Sequence, residues 1–123
     1  MRDYKETLPN TIQREWYDQT KLTDETRQEY LKLLQIEKWD RAFYELTFAP
    51  AYPELRPMLP NIVVPVLVIA GQEDRLIRSW YFEAVSKEIP GAQLVLIPKC
   101  GHVPHEECPD RFMQEVEKYL ENK

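Results

Sequence analysis

Two loops of this sequence carry residue types that can perform acid–base chemistry. The first, residues 71–74 (GQED), follows an apolar run and offers two carboxylates; the second, residues 98–107 (PKCGHVPHEE), follows another apolar run and offers two imidazoles. In an open parallel sheet, catalytic groups gather at the carboxyl ends of strands. A carboxylate there can fix the tautomer of a histidine base and stabilise its protonated form. The spacing therefore predicts an acid and a histidine at one sheet edge.

The elements that must position these loops follow a β-α-β-α order. Apolar runs at 65–71 (PVLVIAG) and 93–98 (QLVLIP) predict strands, and helical patterns extend from Ser79 to Ile89 and onward from Pro109. Neither run alternates with polar residues, which is typical of strands covered on both faces, and a crossover of more than twenty residues fits parallel pairing. The expected fold class is therefore α/β.

The first half of the chain has a different pattern. Thr23 can cap a helix whose first turn is acidic, and apolar residues from Trp39 onward repeat at the spacing of one helix face. Everything before Pro50 is expected to be helical. Five prolines within sixteen residues then predict a linker: Pro50, Pro53, Pro57, Pro60 and Pro65. We therefore divide the chain into a helical region with its linker, residues 1–60, and an α/β part, residues 61–123.

Composition limits the kinds of ligand. A chain of 123 residues is expected to form one folding unit, and its 21 acidic against 16 basic side chains give a net charge of −5. This charge disfavours nucleic acid and anionic membranes and favours a neutral or weakly polar small molecule. Two cysteines are too few for a disulfide scaffold, and the N-terminus lacks an apolar signal core, so a cytoplasmic location is expected.

The two loops and their strands resemble one family. PVLVIAGQEDRL, followed by IPGAQLVLIPKCGHVPHEECPDRF, resembles the last two strands of an α/β-hydrolase, and the similarity covers Val63 to Leu120. The chain order of acid before histidine also matches α/β-hydrolases. The resemblance implies that Asp74 is the acid and His102 the base of a nucleophile-histidine-acid triad. It further implies that the preceding helices form a cap, and it requires no cofactor and no metal.

This resemblance gives a class of mechanism without a substrate. Family members with this type of cap include esterases, epoxide hydrolases, haloalkane dehalogenases and carbon-carbon bond hydrolases. A small ester-like or related substrate is therefore expected for the intact enzyme. Arg78 stands where the loop after the acid commonly has proline, a surface change that we expect to be tolerated.

The nucleophile of such a triad is missing from the sequence. A nucleophile elbow is a strained strand-to-helix turn that needs small flanking residues, but glycine occurs only at 71, 91 and 101. The two serines, Ser79 and Ser86, have larger neighbours. The backbone donors of an oxyanion hole, which come from the elbow and an early loop, are missing too. The chain is therefore expected to be the C-terminal portion of a hydrolase, inactive alone, with its nucleophile in another segment.

Two parallel strands and two helices cannot cover a strand pair that is apolar on both faces. Either a missing N-terminal hydrolase core covers this sheet, or the chain self-associates. A further interpretation is a truncated or split form that acts only as an interaction module.

Other roles remain open for several residues. Glu73 is an alternative acid or a solvated surface residue, and His105 is expected to be structural or to support the site. Cys100 and Cys108 form with the two histidines a C-x-H-x2-H-x2-C string that could ligate zinc, and Cys100 could be a thiol nucleophile beside His102. Four aromatic residues are expected to pack against the sheet part, with a substrate pocket as the alternative: Tyr30, Trp39, Phe43 and Tyr44.

Overall fold

The computed structural model describes residues 4–48 and 54–122 of the chain. Three helices come first, separated by short 3-10 turns at Gln19–Lys21 and Leu33–Gln35: α1 (Tyr4–Glu15), α2 (Asp24–Lys32) and α3 (Trp39–Phe48). After a 3-10 helix at Arg56–Asn61, strands and helices alternate: β1 (Leu67–Gly71), α4 (Ser79–Glu88), β2 (Gln93–Ile97), α5 (Pro104–Glu107) and α6 (Pro109–Glu121). Pro50 and Pro53 of the predicted linker lie outside the described residues.

The two strands pair in parallel, as the apolar runs and the long crossover predict. Leu67 pairs with Gln93, and the register continues to Gly71 opposite Ile97. Burial increases along both strands, so that Ala70, Gly71 and Ile97 at their carboxyl ends are buried. Helices α4 and α6 each contact both strands. The α/β fold class is therefore confirmed, and the best-packed end of the sheet is the one that leads into the two loops.

The helical region has its own core next to residues 98–107, the loop that carries His102 (the histidine loop). Thr23 caps α2 by accepting a hydrogen bond from the Thr26 amide, and two acidic residues follow in the first turn, where they complement the helix dipole. The buried side chains of this core come from α1 and the segment that follows it: Ile12, Trp16 and Leu22. Tyr30 and Val103 pack against them. Val103 belongs to the histidine loop, so this small core joins the helical region to the α/β part.

Two glycines permit close backbone contacts between the loops. A Cβ atom on Gly71 would lie 2.0 Å from the carbonyl oxygen of Gly101. A Cβ atom on Gly101 would lie 2.2 Å from the carbonyl oxygen of Glu15. Any side chain at either position would therefore separate the end of β1, the histidine loop and the end of α1.

The predicted linker contains ordered structure where it is described. Arg56 of the 3-10 helix forms an ion pair with Glu88 of α4, which holds this segment against the α/β part. The boundary between residues 1–60 and 61–123 stays a prediction. No helix within residues 4–48 and 54–122 is long and apolar enough to cross a bilayer.

Within residues 4–48 and 54–122, the helices do not cover both faces of the sheet as expected. The first three residues of β1 and the middle three of β2 are only half-buried. Large apolar side chains nearby are exposed, with Val63 at 92% and Trp80 at 65%. Two flanking helices are too few to cover both faces of two strands. The half-buried strands and these exposed side chains leave apolar area that further sheet or helix could cover.

The aromatic residues of the helical region do not all pack as expected. Tyr30 contacts the core and donates a hydrogen bond to the Glu106 carboxylate at 2.7 Å. Tyr44, however, is 50% exposed on α3, where it stacks at a tilt against Phe48. Helix α3 itself packs against the 3-10 turn at Leu33–Gln35. Packing against the α/β part is thus observed for Tyr30 but is wrong for Tyr44.

Candidate active site

The structure brings Asp74 and His102 into direct contact at the carboxyl ends of the two strands. Oδ2 of Asp74 lies 2.8 Å from Nδ1 of His102. The aspartate side chain is 1% exposed, whereas the histidine side chain is 31% exposed. A buried acid holding a solvent-accessible imidazole is the arrangement that a histidine general base requires.

Asp74 is held by the backbone of its own loop. Its amide donates to the carbonyl of Gly71, the last residue of β1. Its Oδ1 accepts hydrogen bonds from the amides of Leu76 at 2.8 Å and Ile77 at 2.9 Å. These two donors occupy one carboxylate oxygen and leave the other directed at His102.

The histidine loop is anchored on the end of α1. The His102 amide donates to the carbonyl oxygen of Glu15 at 2.6 Å. The preceding residue, Gly101, donates its amide to a carboxylate oxygen of Glu107, also at 2.6 Å. The helical region therefore takes part in positioning the imidazole, although it is distant from the loop in sequence.

Glu107 connects these segments and is a residue whose role the sequence does not reveal. It is 2% exposed, and its two oxygens accept from three backbone amides: Gly101, Tyr17 at 3.1 Å and Asp18 at 2.7 Å. Hydrogen bonds to a buried carboxylate are charge-assisted and strong. In sequence, Glu107 is one of two adjacent acidic residues, and only the fold distinguishes it from the exposed Glu106.

Glu73, the alternative acid, faces a different partner. One of its carboxylate oxygens accepts from the Cys100 amide at 3.2 Å, and its own amide donates to the Cys100 carbonyl. These contacts link the two loops through their backbones. The structure therefore directs Asp74 rather than Glu73 towards the imidazole of His102.

His105 and the cysteines do not form the four-ligand site that the sequence allows. The His105 side chain is exposed, with Nε2 3.5 Å from Glu106 and its ring edge-on to Phe112. The sulfur atoms of Cys100 and Cys108 are joined in a disulfide. Because His102 contacts Asp74 and no free thiolate remains, the zinc hypothesis for this string does not match the geometry. The same disulfide rules out Cys100 as the nucleophile in this state.

The serines offer no replacement nucleophile. Ser86 is buried in α4, where its hydroxyl donates to the carbonyl of Glu83. Ser79 begins the same helix, eight residues after β1 ends. Neither serine lies on a tight turn directly after a strand, which is where an elbow places its nucleophile.

Glu15, at the end of α1, interacts electrostatically with Asp74, His102 and Glu106. Burial raises the pKa of the Glu15 carboxyl, the carboxylates of Glu106 and Asp74 raise it further, and His102 opposes them. The pKa of Tyr30 is also raised, first by burial and then by its hydrogen bond to Glu106. Protonation of these groups is thus favoured by the fold.

We expect Glu15→Gln to change the pH dependence of stability. A carboxyl whose pKa is raised by folding contributes to the free energy of unfolding. This contribution is fully present below pH 4.5, the ordinary pKa of Glu, and is lost as pH rises through the pKa of the folded state. The variant should therefore be more stable than the wild type at pH 7, by no more than about 1 kcal/mol because Glu15 is only half-buried. Urea unfolding at pH 4 and pH 7 measures this difference. Glu117→Gln on α6 is the exposed control, and a variant destabilised only at pH 7 would contradict the prediction.

Comparison with known proteins points to one family. The profile of the family described as "Alpha/beta hydrolase family" matches residues 2–115. Human serine hydrolase BPHL is 27% identical over 85 residues, which cover 69% of this chain and 29% of the human protein. The pimeloyl-[acyl-carrier protein] methyl ester esterase of Nitrosomonas europaea is 35% identical over 60 residues, which cover 49% of this chain and 24% of the esterase.

The comparison of folds agrees with that of sequences. An esterase from Exiguobacterium antarcticum, 19% identical, matches with a TM-score of 0.78 over 98% of this chain and 44% of the esterase chain. The chain therefore spans less than half the length of these relatives. Since the family profile matches nearly the whole sequence and the fold agrees, the chain belongs to the α/β-hydrolase family.

Proposed function

We propose that this chain contributes the acid and the histidine of a nucleophile-histidine-acid triad that hydrolyses a small ester-like substrate. The observation that carries the proposal is the 2.8 Å contact between Oδ2 of Asp74 and Nδ1 of His102. It joins a buried carboxylate to an accessible imidazole at the edge of the sheet where catalytic groups gather.

In this mechanism Asp74 keeps the proton of the neutral imidazole on Nδ1. The other nitrogen, Nε2, is then able to accept a proton from the attacking nucleophile and later to return it to the leaving group. The same imidazole activates water for the second step. Throughout, the Asp74 carboxylate stabilises the positive charge that forms on His102.

The nucleophile and the oxyanion hole belong, on this proposal, to a segment outside this chain. The sequence has no elbow, and the longer relatives leave room for one because the matched stretch covers only 24% to 44% of their lengths. Such a segment could also cover exposed apolar side chains such as Val63 and Trp80. This chain together with that segment is the complete enzyme.

The helical region, residues 1–60, is proposed to act as a cap over the histidine loop. Three contacts support this role: the Tyr30 hydroxyl to Glu106, the Glu15 carbonyl to His102, and the Glu107 carboxylate to the start of the segment after α1. An ester is the proposed substrate because relatives of this chain are named as esterases. A cytoplasmic location, a small-molecule substrate, and no nucleic-acid or membrane partner remain part of the proposal.

The first test is the activity of the chain alone. We expect it not to hydrolyse short-chain nitrophenyl esters faster than a free-imidazole control, because a base without a nucleophile forms no acyl intermediate. Losing even one oxyanion donor costs about 10² to 10³ in rate in a well-studied protease. The chain alone is also expected to self-associate, since its sheet is only partly covered. Turnover by a monomer that His102→Ala abolishes would contradict the proposal.

The second test supplies the missing segment. Sequencing upstream of Met1 in the source gene should find an elbow motif in frame. If it does not, a partner gene should encode that motif. Co-expression of that segment should restore ester hydrolysis, and His102→Ala should remove it. If the chain and that segment bind each other but show no turnover, the chain is an interaction module and the enzymatic proposal is wrong.

A further inference from the structure

Two cysteines bracket the loop that carries His102. The Cα atoms of Cys100 and Cys108 lie 6.4 Å apart, and their sulfur atoms are joined. This separation falls within the roughly 4.4 to 6.8 Å that disulfides span. We propose that the pair is a site of reversible exchange with small, carboxylate-bearing disulfides and thiols, and that its state sets the mobility of the His102 loop. The consequence for catalysis rests on the proposed function, whereas the thiol chemistry does not.

The two sulfur atoms differ in access and surroundings. Cys100 is 0% exposed, whereas Cys108 is partly exposed and is the N-cap residue of the 13-residue helix α6. Cysteine thiolates are favoured at helix N-termini and beside lysine or arginine, and the thiolate is the form that attacks a disulfide. Cys108 is therefore the residue that reacts first with a small disulfide, and Cys100 is the residue that resolves the product.

An open cavity next to Cys108 gives the exchange its chemical preference. It has a volume of about 510 Å³, and the basic residues lining it come from three separate segments: Lys21, Lys99 and Arg111. Glu107 also lines it, but amides already occupy its carboxylate oxygens. Asp110 is the other acidic residue of the lining, and Arg111 also pairs with Glu115. The lining thus carries three basic and two acidic side chains, a local net charge of +1 on a chain of net charge −5, so a preference for a small disulfide that carries carboxylates is confined to this cavity.

One small disulfide is the only oxidant needed to convert the two cysteine thiols into the internal disulfide. The Cys108 thiolate attacks one sulfur of that disulfide, whose S–S bond breaks and releases one small thiolate. The Cys100 thiol then loses its proton to solvent. The resulting thiolate attacks Sγ of Cys108 and displaces the second small thiolate. Two protein thiols are oxidised to one disulfide, and one small disulfide is reduced to two thiols. An excess of small thiol drives the same steps backwards.

Reduction should loosen the loop without unfolding it. The bond closes a ring from residue 100 to residue 108 that contains Gly101 and His102. In the disulfide-bonded state the loop also contacts Glu15 and Glu107, and we expect these hydrogen bonds to persist after reduction because they do not involve the sulfur atoms. We expect reduction to speed hydrogen exchange of the Gly101 and His102 amides and to lower Tm by about 5 to 10 °C, as expected for opening a small loop.

The test uses the reduced full chain and oxidised glutathione, with thiols alkylated at intervals and adducts located by mass spectrometry. The wild type should pass through an adduct on Cys108 and end in the internal disulfide. Cys100→Ala, or Cys100→Ser if that folds better, should stop at one stable adduct. Cys108→Ser should react at least tenfold more slowly, because its remaining thiol is buried. A first adduct on Cys100, or equal rates for the two single variants, overturns the proposal.

The charge preference is tested with a cationic disulfide, cystamine, under the same conditions. Oxidised glutathione should react about 3 to 10 times faster than cystamine at low salt, and added salt should reduce this ratio. Arg111→Gln should also lower the ratio, whereas Lys118→Gln, on the same helix outside the cavity lining, should not. A ratio that neither salt nor Arg111→Gln changes overturns the preference for carboxylates. Because both readouts follow thiols and not ester hydrolysis, they are independent of whether the proposed triad is correct.

Discussion

Asp74→Asn is expected to place the imidazole proton of His102 on the wrong nitrogen. Oδ1 of Asp74 accepts from the amides of Leu76 and Ile77, and Oδ2 faces Nδ1 of His102. In the variant, the amide oxygen should stay with these two donors because an amide nitrogen cannot accept from them. The amide nitrogen then donates to Nδ1, the proton moves to Nε2, and Nε2 can no longer take a proton from the nucleophile.

The expected cost is about a 10⁴-fold fall in kcat of the complete enzyme, the size seen for the equivalent change in a well-studied serine protease. NMR of the imidazole nitrogens measures the tautomer of His102 directly and needs only this chain. Asp110→Asn, an exposed change in the first turn of α6, is the control and should alter neither quantity. If the proton stays on Nδ1 in Asp74→Asn, the assigned role of Asp74 is wrong.

Glu107→Ala is expected to lower the free energy of unfolding by about 3 kcal/mol. The change leaves the amides of Tyr17, Asp18 and Gly101 without their acceptor. A hydrogen bond to a charged group contributes roughly 1.5 to 3 kcal/mol, and the total is smaller than three such bonds because the first two amides can reach water. Glu107→Gln keeps one acceptor oxygen and should lose less.

Urea unfolding of the three proteins measures this effect, with Glu117→Ala on the exposed side of α6 as the control. The control should change stability by less than about 0.5 kcal/mol. In the complete enzyme, Glu107→Ala should also lower kcat, because Gly101, the residue before His102, loses its acceptor. Equal stability of Glu107→Ala and the control would show that the buried carboxylate does not hold the loop.

The regular elements could be predicted because their signals are local. Thr23 followed by two acidic residues starts α2, Pro109 starts α6, and the apolar runs become β1 and β2 in parallel. The strands begin and end within two residues of the predicted runs. Periodicity and capping depend only on neighbouring residues, so a single sequence reports them well.

Long-range contacts were not predictable in this way. Glu107 and Tyr17 are 90 residues apart, and no pattern in the sequence associates them. The sequence does not predict the exposure of Tyr44, because an apolar helix face indicates burial without identifying the segment that would cover it. The pairing of Cys100 with Cys108 likewise required the loop to turn back on itself.

The sequence by itself determined the order of the elements, the α/β class and the loops that carry Asp74 and His102. It did so because apolar strand runs, the length of the crossover and the turn residues depend only on residues that are near one another in sequence. Only the tertiary structure decided which carboxylate meets the imidazole and what holds that pair in place. The physical reason is that the contact of Asp74 with His102 and the hydrogen bonds of Glu107 join segments that are far apart in sequence, and these segments come together only when Gly71 and Gly101 allow close approach.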